Sequence, residues 1–432
     1  MRTDDLILVS VDDHVVEPAD MFKGRLPAKY ADEAPRFVHN DDGTDVWVYQ
    51  GAVVPNIGLN AVAGRPPEEY GFEPTALAEI RPGCYDIHAR IMDMNANGVL
   101  ASINFPSFVQ FCGQLFMRTP DKDMAAAMVR AYNDWHIDEW AGTYPGRMIP
   151  LAIPMSWDAE ACAGEIRRVA AKGCRAMTFS ENPAKLGLPS FHSGHWNPVF
   201  EACCDEGVIL MMHIGSSSEM LVTATDAPVD VMMTLTPMNI VQCAADLVFG
   251  RVLRDYPDLR VTLSEGGIGW IPYFKERVDY VYERHHRWTN QDFGGRRPSE
   301  VFDEQIITCF IDDAFGVHSR EFLNLDMITW ECDYPHSDST WPRSPEIAMR
   351  YLEGLTDDEI NKITHENALR LWRFDPFAHI PKEKATVAAL RSQATDWDVD
   401  IHSTEVIHHD DKMTTMEGVA ALAAKLLKTN QT

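Results

Sequence analysis

The sequence predicts an α/β fold, a (β/α)₈ TIM-like barrel, because eight short apolar runs rich in β-branched residues alternate with helix-like stretches. The runs are continuously apolar, which is typical of strands buried on both faces of a parallel sheet. No GxGxxG or GxxxxGK(S/T) motif opens a helix after a strand, which disfavours an open, doubly wound sheet. The predicted strands are Leu6–Val11, Val99–Phe105, Met148–Ile153, Cys174–Phe179, Val208–His213, Val261–Ser264, Ile306–Ile311 and Met327–Glu331.

Between these strands, helical periodicity predicts helices over Asp121–Trp140 and Asp158–Ala171. Residues 22–80 do not follow the alternation; they are rich in Pro and Gly and contain a hairpin-like FVHNDDGTDVWVYQG with an Asp-Asp-Gly turn. We expect them to form an insertion after strand 1 that covers one end of a barrel of residues 1–375. Residues 376–432 are expected to form a C-terminal extension with a helical patch at Met416–Leu427, either packed on a neighbouring subunit or disordered.

Composition and charge narrow the class of protein. The chain has 432 residues, 45% of them hydrophobic, which is enough for one large core. A formal charge of -27 repels phosphate backbones and anionic lipids, so we expect a small-molecule substrate and no nucleic-acid or membrane partner. The first residues, MRTDDLILVSVDDH, lack the basic start and apolar run of a signal peptide. The apolar stretches are strand-sized, and nine cysteines without a CxxC pair indicate free thiols in a cytoplasmic enzyme.

Polar side chains follow five of the eight predicted strands. In a barrel enzyme the reactive groups lie at the carboxyl ends of the strands. Residues i and i+2 of an extended chain point to the same side, so Asp12 and His14 can both face the barrel mouth. The other strand ends contribute Glu181 after strand four, His213 at strand five, Glu265 after strand six, and Asp333 with His336 after strand eight.

Carboxylate oxygens and imidazole nitrogens are ligands that suit Zn²⁺, Mn²⁺ or Fe²⁺. A single strand-end histidine is often only hydrogen-bonded, and a single aspartate there often caps a helix. The convergence of both residue types from separate strands instead predicts a metal centre with one or two divalent ions per subunit. The candidate ligands are Asp12, His14, Glu181, His213, Glu265 and Asp333.

The sequence resembles the amidohydrolase-related family that includes aminocarboxymuconate-semialdehyde decarboxylase and the γ-resorcylate and 5-carboxyvanillate decarboxylases. The resemblance runs from about Leu6 to Phe374. It implies a metal-dependent barrel enzyme, and relatives of this kind tend to form homodimers. The segments that carry it are VSVDDHVVEP, HWNPVFEACCDEGVILMMHIG, LSEGGIGWIPYFKERVDY, WECDYPHSDSTWP and ITHENALRLW.

The resemblance implies metal ligation by Asp12, His14 and His213, and it places the eighth-strand aspartate at Asp333. That aspartate commonly activates a metal-bound water or joins the metal shell. Two departures matter. The first pair is here Asp-x-His, where His-x-His or Glu-x-His is common. The family's decarboxylases carry a histidine after strand six, where this chain has Glu265, which adds negative charge beside a carboxylate substrate.

The resemblance leaves two carboxylates with alternative roles. Glu181 occupies a position where several two-metal relatives have a bridging ligand, and it is equally well explained as a helix-capping loop residue. Glu265 is either a ligand or a hydrogen-bond partner of a ligating histidine. A two-metal site favours hydrolysis and a one-metal site favours decarboxylation, so these residues bear on the reaction.

The leading interpretation is a metal-dependent hydrolase that uses a metal-activated water on an amide, ester, lactone or thioester, with Asp333 and Glu265 as catalytic residues. The alternative is metal-dependent, non-oxidative decarboxylation of an aromatic or unsaturated carboxylic acid. A second alternative is a non-catalytic binding protein on a barrel scaffold, which the complete set of candidate ligands disfavours.

Aromatic residues in or near the strand-end loops predict an apolar or aromatic substrate. The candidate substrate-binding residues are His336, His192, Trp270 and Phe105, with Phe108, Phe111, Tyr273, Trp341 and His195 as further possibilities. Ser216–Ser218 lack a GxSxG elbow, so they are expected to donate hydrogen bonds near the metal and not to act as nucleophiles.

Overall fold

A computed structural model describes residues 1–55, 57–70, 74–404, 414–418 and 420, and it contains the predicted (β/α)₈ barrel. Each of the eight barrel strands falls on one of the predicted apolar runs. Strands are numbered along the chain, with β2–β4 in the insertion. The barrel strands are β1 (Leu8–Val15), β5 (Val99–Pro106), β6 (Met148–Ile149), β7 (Ala176–Ser180), β8 (Ile209–His213), β9 (Val261–Ser264), β10 (Ile306–Phe310) and β11 (Ile328–Trp330).

The strands pair in parallel around the ring, in the order β1-β5-β6 and β7-β8-β9-β10-β11. The two arcs meet between β6 and β7 at Ala152, whose N–H donates to Ala176 O at 3.0 Å. Its carbonyl in turn accepts from Thr178 N at 2.9 Å. The chain after β6 therefore continues the ladder beyond the regular strand, as the longer predicted run Met148–Ile153 indicates.

The ring closes between β1 and the residues that follow β11. Asp333 N donates to Asp12 O at 2.9 Å, and His14 N donates to Tyr334 O at 2.7 Å. A side chain adds to the seam, since Cys332 N donates to Ser10 Oγ at 2.8 Å. Barrel closure thus runs through the same residues that the sequence marks as candidate ligands.

Fifteen α-helices cover the outside of the barrel within the described residues. The two helices predicted from periodicity are confirmed, and side chains fix where they begin. Asp121 accepts from Asp123 N and Met124 N at the start of α3, and Asp158 caps α4 in the same way. The helices are α1 (Ile87–Asn97), α2 (Gln114–Met117), α3 (Lys122–Trp135), α4 (Ala159–Ala171), α5 (Asn197–Glu206), α6 (Val229–Leu235), α7 (Met238–Phe249), α8 (Val252–Asp255), α9 (Ile271–Thr289), α10 (Pro298–Gln305), α11 (Ala314–His318), α12 (Ser344–Leu352), α13 (Asp357–Asn361), α14 (Asn367–Leu371) and α15 (Val387–Arg391).

The predicted insertion is a small antiparallel sheet made of β2 (Arg36–His39), β3 (Asp45–Tyr49) and β4 (Ala52–Val54). It lies over the carboxyl end of the barrel. Trp47 of β3 stacks on Phe108, which follows β5, with ring centroids 4.3 Å apart. The insertion also reaches the loop after β11, because Val62 N donates to Pro335 O at 2.9 Å. The end of the barrel that it covers is the end that carries the candidate ligands.

The described part of the C-terminal extension packs on its own barrel. Val387 N donates to Leu6 O at 2.9 Å, and Arg391 forms an ion pair with Glu346 at 2.5 Å. Further along, Met416 N donates to Ala227 O at 3.1 Å. Of the predicted helical patch at Met416–Leu427, only residues 416–418 and 420 are described, and the remainder lies outside the described residues.

One stretch, Val229–Phe249, is long and apolar enough to cross a membrane by length and composition alone, with a mean hydropathy of 1.3. Only strand-sized apolar stretches were predicted from the sequence, so this prediction was wrong for Val229–Phe249. Its second half, α7, buries Ile240, Ala244 and Leu247 against the barrel, which is the usual reason for an apolar helix in a folded domain.

All nine cysteines are free, as predicted. Eight of them are buried, and Cys204 is intermediate in exposure. They pack as small apolar side chains.

Asp93 on α1 joins four parts of the chain through one buried carboxylate. It accepts from Arg81 Nε at 2.8 Å, from Tyr334 Oη at 2.5 Å and from Trp397 Nε1 at 2.7 Å. These partners belong to the segment that follows the insertion, the loop after β11 and the C-terminal extension. Gly83 lies so close that a Cβ there would sit 1.9 Å from Asp93 Oδ2, so the packing requires glycine.

We expect Asp93→Ala to lower the free energy of unfolding by about 3–5 kcal/mol, because it leaves the Arg81 cation buried without its partner. Asp86→Ala is the matched control on the same helix. It removes only the exposed cap that accepts from Ala89 N and is expected to cost about 1 kcal/mol. Urea unfolding followed by circular dichroism measures both, and equal losses would contradict a special role for Asp93.

Candidate metal centre

Asp12 and His14 lie at the carboxyl end of β1 and point into the barrel, as their spacing predicts. His14 Nε2 lies 3.6 Å from Asp12 Oδ1, and both side chains are fully buried. The intervening Asp13 points away and accepts from Ser10 Oγ at 2.9 Å and from Tyr334 N at 3.1 Å. Asp13 therefore binds the closing seam, and its two neighbours face the site.

His213 ends β8 with one ring nitrogen already engaged. Its Nδ1 lies 2.6 Å from Ile214 O, so Nδ1 carries the proton and donates to that carbonyl. The lone pair is then left on Nε2, which lies 3.5 Å from Asp12 Oδ1 and 3.1 Å from Glu265 Oε2. This arrangement is typical of a histidine prepared as a metal ligand.

Glu265 and Asp333 both have left-handed backbones, with φ of 59° and 57°. For residues other than glycine, this conformation costs about 1–2 kcal/mol. The Asp333 backbone is held by the bond from its N–H to Asp12 O, and Glu265 N donates to Glu331 Oε2 at 3.4 Å. Strained positions of this kind cluster at functional sites, where the surrounding structure keeps a side chain pointed at its target.

The residues fit a divalent ion. Both carboxylate oxygens of Asp12, Oδ2 of Asp333, and Nε2 of His14 and of His213 are buried without a hydrogen-bond partner. Buried polar atoms are rarely left unpaired, so their convergence indicates a missing ligand. The spacing agrees: the His14 Nε2–Asp333 Oδ1 distance is 3.3 Å, and atoms bound about 2.1 Å from one ion are separated by roughly 3.0–3.4 Å.

Burial and mutual repulsion shift the pKa values of these groups toward their neutral forms. Burial raises the pKa of Asp12 and of Asp333 well above the usual range, and each neighbouring carboxylate raises it further. The pKa of Glu265 is also raised well above its usual range by burial and then by the charge of Asp333. Burial likewise lowers the pKa of His14 well below its ordinary value. A bound cation would offset this concentration of negative charge.

Glu181 is held apart from the ligand group. Its carboxylate accepts from Ser216 Oγ and, at 2.7 Å, from Ser217 Oγ. Within the described residues the groups of potential ligand atoms include Asp12, His14, His213, Glu265, Asp333 and His336 and do not include Glu181. The serines therefore donate hydrogen bonds to Glu181, which disfavours the bridging role, one of its two predicted alternatives, and favours one ion over two.

His336 joins the site, as the sequence suggested. Its ring stacks on His14 with centroids 3.7 Å apart, and its Nδ1 lies 2.9 Å from Asp333 Oδ1. Burial lowers the pKa of His336 to about 4. Two phenylalanines complete the wall: Phe111 stacks on His213 at 4.2 Å, and Phe105 lies 4.7 Å from the same ring.

The structure places the other candidate substrate-binding residues elsewhere. His192 is half-exposed and its Nε2 pairs with Asp246 at 2.5 Å on the outer surface, and His195 is exposed. Trp270 Nε1 donates to Gly266 O at 3.0 Å, so it supports the turn after Glu265. Tyr273 and Phe108 were expected near the mouth, but the first is exposed on α9 and the second is buried against Trp47. Spacing from a strand end does not reveal which way a loop side chain turns.

Sequence reasoning missed Glu331, a fully buried carboxylate at the end of the eighth predicted strand. It lies within 4.8 Å of Asp12 and Cys309, one step deeper in the barrel than the main ligand group. Burial raises the pKa of the Cys309 thiol well above its usual range, which disfavours a thiolate ligand there. The sequence signal that could have revealed Glu331 is a carboxylate at the end of an otherwise apolar predicted strand.

The fold and this group of ligand atoms define a metal-centred (β/α)₈ enzyme. A family model described as amidohydrolase matches residues 67–374, most of the chain, so the protein belongs to the amidohydrolase family. This confirms the resemblance seen in the sequence. Asp12 and His14 precede the matched range. No curated protein matches the sequence significantly.

Solved structures of similar fold share little sequence with this chain. An amidohydrolase from Mycobacterium avium subsp. paratuberculosis K-10 is 20% identical with a TM-score of 0.65, over 85% of this chain and 97% of that one. The 5-carboxyvanillate decarboxylase LigW from Sphingomonas paucimobilis is 18% identical with a TM-score of 0.59, over 86% and 100%. A 5-carboxyvanillate decarboxylase from Novosphingobium aromaticivorans, solved with bound manganese, is 15% identical with a TM-score of 0.57, over 85% and 97%. The prediction of a divalent-metal cofactor is confirmed at the level of the family and of the ligand group.

We expect the purified protein to bind one divalent ion per chain, measured by inductively coupled plasma mass spectrometry without chelators. Asp12→Ala and His213→Ala should each lose the ion, because both remove atoms that converge on one point. Glu181→Gln is the matched control and should keep it, because the Glu181 carboxylate is bonded to serine hydroxyls. Two ions in the wild type, with one lost in Glu181→Gln, would contradict this assignment.

Proposed function

We propose that this enzyme catalyses the metal-dependent, non-oxidative decarboxylation of an aromatic or unsaturated carboxylic acid. The observation that carries the proposal is the position of Glu181, the candidate bridging ligand: within the described residues it lies outside the overlapping groups of potential ligand atoms that share Asp12 or His14, and its carboxylate accepts hydrogen bonds from Ser216 and Ser217. One ion is enough to anchor a carboxylate, whereas two-ion clamps are typical of hydrolytic displacements. The similar fold of two 5-carboxyvanillate decarboxylases supports the same class of reaction.

Asp12, His14 and His213 would hold the ion, with Asp333 as a fourth group. A divalent ion bound there supplies Lewis-acid attraction for the substrate carboxylate and for a polar substituent beside it. Of the metals that the sequence allows, Zn²⁺, Fe²⁺ and Mn²⁺, we favour Mn²⁺, since oxygen atoms make up half of this ligand set and the metal found in a similar decarboxylase structure is manganese.

The reaction breaks the bond between the carboxylate carbon and the ring or alkene carbon. Carbon dioxide leaves, and the electron pair stays on the substrate carbon, which then takes up one proton. Glu265 is placed to deliver that proton, because its carboxyl group borders the ligand group at His213 Nε2 and remains partly exposed, with 15% of the side chain accessible. Glu265 stands where the resembling decarboxylases carry a histidine after strand six.

The remaining side chains position the substrate and exclude water. Phe105 and Phe111 flank His213 and offer an apolar wall to a planar ring. His336 lies beside Asp333 with its Nε2 free of hydrogen bonds, so it can donate to or accept from a polar group on the substrate. The insertion sheet, through Trp47 on Phe108, covers the same end of the barrel and limits access of water.

Hydrolysis of an ester, amide, lactone or thioester is the second candidate, and Glu265 is the observation that favours it. A carboxylate beside the ligand group can accept a proton from water. The negative charge of the Glu265 carboxylate disfavours an anionic substrate unless Glu265 is protonated. The fold and most ligands are shared by the two reactions, so the products distinguish them more directly than the number of bound ions does.

We expect the metal-loaded protein to release carbon dioxide from aromatic acids with a hydroxyl group beside the carboxylate, and to leave aryl esters, amides, lactones and thioesters intact. A reaction run in deuterium oxide should place one deuteron on the carbon that lost the carboxylate, detected by mass spectrometry. Hydrolysis of a neutral substrate with no carbon dioxide release from any acid would replace the first proposal by the second.

We further expect Glu265→Gln to lower kcat about 10²–10⁴-fold while keeping the bound metal, because the amide cannot deliver a proton. Glu201→Gln on the exposed surface of α5 is the matched control and should keep full activity. An unchanged kcat in Glu265→Gln would remove Glu265 from the proton transfer and leave the metal site intact.

A further inference from the structure

The turn between β9 and α9 carries Glu265, and a side chain from the next strand end holds it. Asp313 follows β10, and its carboxylate reaches the backbone of this turn. Its Oδ2 accepts from Ile268 N at 2.7 Å and from Gly269 N at 2.6 Å. Its Oδ1 accepts from Gly316 N at 2.8 Å at the start of α11. One carboxylate therefore joins the ends of β9 and β10 through backbone N–H groups.

Glycine residues allow the two backbones to approach the carboxylate closely. A Cβ at Gly269 would lie 3.0 Å from Asp313 Oδ1, and a Cβ at Gly267 would lie 3.2 Å from Oδ2. A Cβ at Gly316 would lie 2.3 Å from Ile268 Cγ1. A separation of 2.3 Å is far inside van der Waals contact, so α11 fits against the turn only with glycine at position 316.

The same turn is held by two further contacts. Trp270 Nε1 donates to Gly266 O and to Gly267 O, both at 3.0 Å. A Cβ at Gly266 would lie 2.6 Å from Ile240 Cγ2, so the turn also lies directly against α7. The turn after β9 is therefore fixed by the Asp313 carboxylate, by its own indole and by a neighbouring helix.

This support accounts for the unfavourable backbone of Glu265. Its φ of 59° is left-handed, and strain of this kind persists only when the surrounding structure fixes it. The N–H of Glu265 makes a long bond, 3.4 Å, to Glu331 Oε2, so the residues that follow Glu265 supply the firmer contacts. The carboxylate held in this way ends 3.1 Å from His213 Nε2, at the border of the ligand group.

We propose that Asp313 is a positioning residue that sets the direction of the Glu265 carboxyl group. This inference rests on the proton delivery by Glu265 that is proposed above. Within the described residues Asp313 lies outside the groups of potential ligand atoms, so it acts through the turn and not on the metal. Without the Asp313 carboxylate, the strained turn can relax and carry Glu265 away from His213. A displacement of about 1 Å is enough to lower a reaction rate about 100-fold.

Hydrogen exchange measured by mass spectrometry tests the hold on the turn and needs no substrate. In Asp313→Ala the peptide that covers Glu265–Trp270 should exchange at least about 10-fold faster, because the amides of Ile268 and Gly269 lose their acceptor. Asp313→Asn keeps an oxygen that can accept from both amides, so it should restore slow exchange. The peptide that covers β8 is the internal control and should exchange as in the wild type. Unchanged exchange in the turn of Asp313→Ala would overturn the proposal.

Kinetics of the metal-loaded enzyme test what the hold does. We expect Asp313→Ala to lower kcat about 10–100-fold with KM and bound metal unchanged, because only the proton donor moves. Added to Glu265→Gln, it should lower kcat no further, since a positioning residue has no effect once the group that it positions is gone. Asp158→Ala is the matched control. It removes similar bonds, from Glu160 N and Ala161 N at 3.0 Å, and should keep full kcat.

The positioning role would be wrong if the kcat losses of Asp313→Ala and Glu265→Gln multiplied in the double variant. It would also be wrong if Asp313→Ala lost no more kcat than Asp158→Ala. Failure of the proposed decarboxylation gives a different result, because the wild type itself then releases no carbon dioxide from any acid. The same kinetic comparison is then made on the hydrolysed substrate, and the exchange measurement is unaffected.

Discussion

The concentration of acidic groups at the covered end of the barrel is the constraint on which the rest of the structure depends. Asp12 lies 3.6 Å from His14 and 3.5 Å from His213, Asp333 lies 3.3 Å from His14, and Glu265 lies 3.1 Å from His213. Glu331 lies within 4.8 Å of Asp12. Three carboxylates this close together repel one another when they are ionised, and burial adds to the cost, so a bound cation would stabilise them. The protein keeps them together by fixing their backbones and not by pairing their side chains.

Barrel closure supplies that rigidity. The bonds between Asp12 and Asp333 and between His14 and Tyr334 are backbone bonds of the closing seam, so the ligands cannot separate unless the ring opens. Tyr334 is fixed in turn by Asp93, which also binds the segment that follows the insertion and the C-terminal extension. Parts of the chain that do not contribute ligands therefore determine how firmly the ligands are held.

Much of the fold and the inner part of the site could be predicted from the sequence, because both depend on local patterns. Continuous apolar runs marked all eight barrel strands, and the two-residue spacing of Asp12 and His14 set their common direction. The separation of Glu181 from the ligand group could not be predicted, since it depends on Ser216 and Ser217 arriving from the next strand end. His192 and Tyr273 were expected near the site but lie on the outer surface. The direction of a side chain that follows a strand is set by tertiary packing, and no local pattern encodes it.

The position of the closing seam determines the stage of protein synthesis at which the metal site can form. Ser10 and Cys332, which bond across the seam, are 322 residues apart, and Trp397, which helps to fix Tyr334, comes later still. On the ribosome the first strand can pair with β5 early, but its other edge must wait until Cys332 to Tyr334 have emerged. Its two ligands meet Asp333 only at that stage, so a nascent chain cannot load metal at the complete site before the eighth barrel strand has been made.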